Sequence, residues 1–189
     1  MNRLSNASEG MPMEAPKLSG PATSAGMQQY LTFTSADELF AVPIAPIREI
    51  IEFPGLTQIP LTPAFLRGVI NLRGAVVPVI DLAVRFGRSE TSIARRTCIV
   101  IVEVALEDGV HAIGVIVDAV NEVLEVDPAK LEKRPGFGTG LRSDFVSCML
   151  NLDDRFVVVL DMERVLSTEE LEQLVASTVT APSVASAEV

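Results

Sequence analysis

Between residues 28 and 175 the apolar positions fall in short runs, each broken after a few residues by Gly, Pro, Asp or Asn. Short β-branched runs bounded by turn residues predict strands, because an amphipathic helix needs a longer stretch with a 3.6-residue period. Residues 30–34 and 39–42 read as two strands joined through the polar turn Ser35-Ala36-Asp37-Glu38, and 47–52 as a third, ended by Pro54-Gly55. Residues 68–73 meet Gly74 and turn back as 76–80, where the internal Pro78 predicts an edge or a bulge rather than a central strand. Residues 81–86 form a short helical turn with Asp81 as its cap.

The second half repeats the pattern. A β-branched run, 98–104, turns at Glu107-Asp108-Gly109 into 110–117, and 120–126 follows. A Gly-rich loop over 135–140 leads to a last hairpin, 145–152 and 156–160, turned at Asp153-Asp154. Ser167-Thr168-Glu169-Glu170 is a capping box that opens a C-terminal helix through Leu171, Leu174 and Val175. The fold class is therefore all-β. Its ten or so strands suit two small barrels of about five strands each, with an approximate division near 88–96 and end strands free to cross between barrels. Residues 1–27 and 176–189 lack apolar periodicity and read as tails.

Composition narrows the function. Hydrophobic residues make up 48% of the 189 and charged residues 21%, enough apolar side chain for a core. The net charge of −10 opposes binding to nucleic acid or to an anionic membrane. The arginines at 85, 88, 95 and 96 read as a solvated loop. Cys98 and Cys148 stand far apart in apolar runs, and nothing resembles a secretory signal or a membrane span, which points to a reduced, cytoplasmic protein.

Little in the chain is equipped for chemistry. One histidine, His111, and two distant cysteines cannot build the usual zinc site, and no nucleophile stands beside a base. Gly136, Gly138 and Gly140 lack the strand-to-helix setting that phosphate binding requires. Asp81 and Asp161 end strands as a phosphoacceptor would, but without the helices of a receiver domain they read as helix caps. No enzyme activity, metal or cofactor is expected. A small-barrel binder of oligonucleotides or sugars would want exposed aromatics, and aromatic residues total only 5%, with no Trp.

One stretch is more specific. Thr62-Pro63-Ala64-Phe65-Leu66-Arg67-Gly68-Val69-Ile70-Asn71-Leu72-Arg73-Gly74 runs into Val76-Val77-Pro78-Val79-Ile80-Asp81-Leu82. Arg48-Glu49-Ile50 lies upstream and Gly114-Val115-Ile116-Val117-Asp118 downstream. In this order the motifs resemble the CheW family of bacterial chemotaxis coupling proteins, over about residues 28–175. The resemblance implies two SH3-like barrels packed together, and a non-enzymatic adaptor joining the cytoplasmic tip of methyl-accepting chemoreceptors to the regulatory domain of a CheA-type histidine kinase, which shares the fold. It implies a receptor groove between the barrels lined by Ile44, Glu49, Ile50, Arg73 and Cys98, and a kinase contact around Phe65, Leu66, Arg67 and Gly68. Cys98 stands where an aliphatic residue is more familiar. Short tails at both ends suit a stand-alone adaptor, recruited from the cytoplasm to receptor arrays.

Overall fold

The computed structural model describes residues 26–106, 109–134, 140–153, 155–167 and 169. Eleven strands follow one another: β1 (Gln28–Ser35), β2 (Glu38–Pro43), β3 (Ile47–Glu52), β4 (Leu66–Leu72), β5 (Ala75–Asp81), β6 (Cys98–Leu106), β7 (Gly109–Val117), β8 (Ala119–Val126), β9 (Leu131–Lys133), β10 (Val146–Leu152) and β11 (Arg155–Leu160). Two short helices, α1 (Leu82–Arg85) and α2 (Met162–Leu166), each follow an aspartate. Asp81 accepts from the Ala83 and Val84 amides and Asp161 from that of Arg164, so both cap helices. The expected helix through Leu171 lies outside the described residues, as do the two tails apart from Gly26 and Met27.

The strands form a six-stranded sheet, β8-β1-β2-β11-β10-β9, and a five-stranded sheet, β3-β6-β7-β5-β4. The sixth strand of the first sheet, β9, is a Leu-Glu-Lys triplet too short to show a period in the sequence. A single cut near 88–96 does not separate the sheets. β6 and β7, beyond that point, pair with β3 and β5, before it, and β2 pairs in parallel with β11 from the far end of the chain.

Burial on both faces explains the uninterrupted apolar runs. In β6, Ile99 and Ile101 join Ile70, Val77, Val79 and Ile116 in a core private to the five-stranded sheet. The alternate residues Val100, Val102 and Val104 face the other sheet, where Leu31, Phe33, Phe40 and Leu160 complete a shared core. The six-stranded sheet keeps its own core of Tyr30, Ala41, Val126, Leu150, Val157 and Val159. The molecule is thus two packed all-β barrels.

Pro78 is not at an edge. β5 lies between β7 and β4, and Pro78 stands opposite Val69. Val69 exchanges both its backbone hydrogen bonds with Thr57, on its far side, so the Pro78 nitrogen faces β7. The β5–β7 ladder begins only at Val79, so the missing N–H costs no pairing.

Two hairpins turn on two residues of positive φ, Ala36-Asp37 (+50° and +63°) and Arg73-Gly74 (+53° and +89°), the geometry whose twist matches the strands. A third feature is less ordinary. Leu61, in the β3–β4 loop, is fully exposed and sits at φ = +62°. The left-handed region costs a branched L-residue about 1–2 kcal/mol.

Candidate functional site

The Arg73 side chain leaves the β4–β5 turn and sets both terminal guanidinium nitrogens on Glu49, Nη1 on Oε1 and Nη2 on Oε2, each at 2.9 Å. Asn71 fixes the turn by accepting the Gly74 amide at 2.8 Å. Arg73 is 73% exposed and Glu49 20%, so a matched planar fork is held at the surface with little stake in stability.

The other members of the expected receptor set lie elsewhere: Ile50 on β3 itself, Cys98 at the start of β6, and Ile44 just after β2. Opposite residues of an antiparallel pair share a face. Glu49 stands opposite Ile101, on the face of the private core, whereas Ile50 stands opposite Val100, on the face turned to the other sheet. Cys98 packs against the shared core, while Ile50 is 41% exposed. Ile44, half-buried after β2, donates its amide to Gln29 of the neighbouring sheet at 3.0 Å. Ile44, Ile50 and Cys98 therefore belong to the seam between the sheets, and the Arg73–Glu49 pair to the opposite face of β3. One groove does not hold all five. β3 is an edge strand, however, so its two faces meet along one free border.

The segment expected to meet the kinase is mostly internal. Leu66 is buried in the shared core. Gly68 is buried at φ = +145°, and a Cβ there would lie 2.3 Å from the Thr57 carbonyl oxygen. Arg67 Nη1 bridges Asp81 Oδ2 at 2.8 Å and Glu90 at 2.7 Å. Phe65 is half-buried under the Arg85 guanidinium, 5.1 Å from its ring centroid. Leu66 and Gly68 thus offer no side-chain surface to a partner.

Asp81 is the hub behind this segment. Its carboxylate is 0% exposed and accepts from Ala83, Val84, Arg67, and both the amide and hydroxyl of Thr91. Every lone pair is committed, which suits a brace and leaves no oxygen for a phosphoryl group. Sequence reasoning found the cap but missed Thr91, because nothing local links positions ten residues apart across a loop.

Among the described residues no three His, Cys, Asp or Glu side chains gather as metal ligands would, and no helix is long and apolar enough to cross a membrane. A hollow of about 760 Å³ along the 87–97 loop mixes Arg88 and Arg96 with Asp37, Glu90 and Asp118. Tyr30 is buried, its hydroxyl pushed above the ordinary 10.0 by burial and then by Cys148, whose own thiol burial pushes above 9.0. It offers no stacking surface for bases or sugars.

Residues 29–170 match the family model described as a CheW-like domain. The chain is 33% identical over 144 residues to the chemotaxis protein CheW of Klebsiella aerogenes, covering 76% of this chain and 84% of that protein. It is also 33% identical over 147 residues to the probable chemotaxis protein CheW of Rhizobium etli, covering 78% and 92%. Among solved structures, the scaffolding protein TtCheW of Thermoanaerobacter tengcongensis superposes with a TM-score of 0.68 at 32% identity, covering 76% of this chain and 95% of that one.

Proposed function

Because the chain belongs to the CheW-like family of non-enzymatic chemotaxis scaffolds, we propose that it couples the cytoplasmic tip of methyl-accepting chemoreceptors to the regulatory domain of a CheA-type histidine kinase. The observation that carries the receptor half is the Arg73–Glu49 fork. It presents a preorganised, exposed guanidinium on one face of β3, with the apolar Ile50 on the other face of the same edge strand. A receptor helix lying along that edge reaches both faces of the strand, placing a carboxylate on Arg73 and an apolar side chain on Ile50, Cys98 and Ile44. Such a protein works in the cytoplasm, recruited to membrane-bound arrays by these contacts, and carries no cofactor.

The test titrates wild type and Arg73→Glu separately against a receptor-tip fragment and the kinase regulatory domain. Reversing the charge removes a charge-assisted fork and sets two carboxylates together, so receptor affinity should fall by about 1.5–3 kcal/mol. The kinase affinity should hold. The melting temperature should move little, since an exposed pair contributes under about 1 kcal/mol. A parallel loss of both affinities, or a protein that melts early, would mean that Arg73 is structural and that the two surfaces are not separate.

A further inference from the structure

The unit built from β4, β5 and α1 occurs twice in the chain. Each pairing of the β4–β5 ladder, from Leu66↔Ile80 to Leu72↔Ala75, recurs 80 positions later in β10–β11, from Val146↔Leu160 to Leu152↔Arg155, with the bulge in the same place. The Phe65 carbonyl accepts the Asp81 amide at 2.7 Å and the Phe145 carbonyl the Asp161 amide at 2.9 Å, and each aspartate then caps its helix. β5 and β11 also take their next neighbours, β7 and β2, in parallel.

In this repeat the counterpart of Arg85 is Val165. Arg85, read from the sequence as part of a solvated loop, is half-buried, and its Nε donates to the Val165 carbonyl at 2.8 Å. That carbonyl lies in the last turn of α2, where a helix supplies no amide of its own. The guanidinium carbon stands 5.1 Å from the Phe65 ring centroid and 4.9 Å from that of Phe145, and these two rings are counterparts in their turn. One side chain thus joins two equivalent rings and bonds to its own equivalent, where the repeats meet. Val165 is apolar and fully buried, so the charge is present once; an arginine at both positions would set like charges together.

Resting on the adaptor reading above, we propose that Arg85 fixes the orientation of one barrel on the other and so keeps the receptor seam in shape. Phe65 leads into β4 of the five-stranded sheet and Phe145 into β10 of the six-stranded sheet, so the guanidinium spans both. The shared core draws the barrels together, but the hydrophobic effect has no direction. A hydrogen bond and two cation–ring contacts do. The seam needs that direction, because Ile44 is bonded to Gln29 in one sheet while Ile50 and Cys98 belong to the other. Arg85 is then a positioning residue, acting on the seam without being one of the residues expected to line it.

The experiment uses the full chain as wild type, Arg85→Met and, as a control, Arg142→Met, which removes the other guanidinium over Phe145, 4.8 Å from its centroid. Amide residual dipolar couplings in a weakly aligning medium report the orientation of each barrel, and each protein is titrated against a receptor-tip fragment. One alignment tensor should fit both barrels of wild type and of Arg142→Met. Arg85→Met should need two, with each barrel still fitting its own, and should bind the receptor tip at least fivefold more weakly. A single tensor for Arg85→Met would mean that the core alone sets the orientation, and two tensors for Arg142→Met that any loosening of Phe145 suffices; either result overturns the proposal. So would barrels that separate while receptor affinity holds. Should Arg85→Met not fold, the same couplings are read on Arg85→Gln, which keeps a donor but neither the charge nor the reach, and if that variant also fails to fold the residue serves the fold as a whole and the proposal fails. If wild type does not bind the receptor tip, the adaptor reading fails, and the couplings still decide whether Arg85 orients the barrels.

Discussion

Asp81→Asn changes one oxygen to an amide nitrogen at constant volume, and the structure says what that should cost. Oδ1 accepts from the Ala83 amide at 3.0 Å, the Val84 amide at 3.4 Å and the Thr91 hydroxyl at 2.9 Å, and Oδ2 from Arg67 and the Thr91 amide at 2.8 Å each. An asparagine can keep its oxygen on the first set. Its nitrogen then points hydrogens at two other donors, and the opposite orientation sets them against three. The variant therefore loses a charge-assisted bond from Arg67, worth about 1.5–3 kcal/mol, and leaves a buried Thr91 N–H without an acceptor, about 1–3 kcal/mol more. With partial relaxation the loss should be roughly 3–5 kcal/mol, the range for breaking a buried charged network. Urea unfolding of wild type and Asp81→Asn measures it, with Thr91→Val and the double variant closing a thermodynamic cycle. A loss below about 1 kcal/mol, or additive single effects, would refute the brace. So would a stable phosphoryl group on Asp81 after incubation with phosphorylated kinase.

Two further outcomes follow from buried polar groups. Ser35 is fully buried and its Oγ has no hydrogen-bond partner, so Ser35→Ala should be neutral or raise stability by up to about 1 kcal/mol in the same urea assay, whereas a destabilisation of that size would reveal a bond to Oγ. Tyr30 and Cys148 titrate above their ordinary values in the folded chain, so the unfolded chain ionises first; stability is full at neutral pH, and falls as pH rises past 9.0 and 10.0. The urea midpoint should therefore drop between neutral pH and about pH 10, and Tyr30→Phe with Cys148→Ala should flatten that drop.

What the sequence displayed and what it hid divide along physical lines. Strands were legible where turn residues bounded them. The Ala36-Asp37 and Arg73-Gly74 turns stand where the polar and Gly signals put them, because a two-residue hairpin turn is a local affair. Sheet membership was hidden. β5 lies beside β7, and β2 beside β11, by parallel pairings that leave no local mark. That is also why Pro78 misled: its cost depends on where a ladder to a distant strand begins. The Arg73–Glu49 pair was legible through the family motif, but the face on which Ile50 lies was not, since β3 alternates about a border that only the partner strand defines.

The parallel β2–β11 pairing sets an order of events during synthesis. When Val117 has left the ribosome, every strand of the five-stranded sheet exists, while its neighbour has only β1 and β2. The middle of the chain can close first, and Phe40 must wait beside it, its edge unpaired, until Val158 arrives. Pairing across that sequence distance is slow and leaves a strand edge open to other chains. Truncating the last hairpin should therefore leave the β2 edge open as well as remove two strands, so that damage near one terminus exposes structure built from the other.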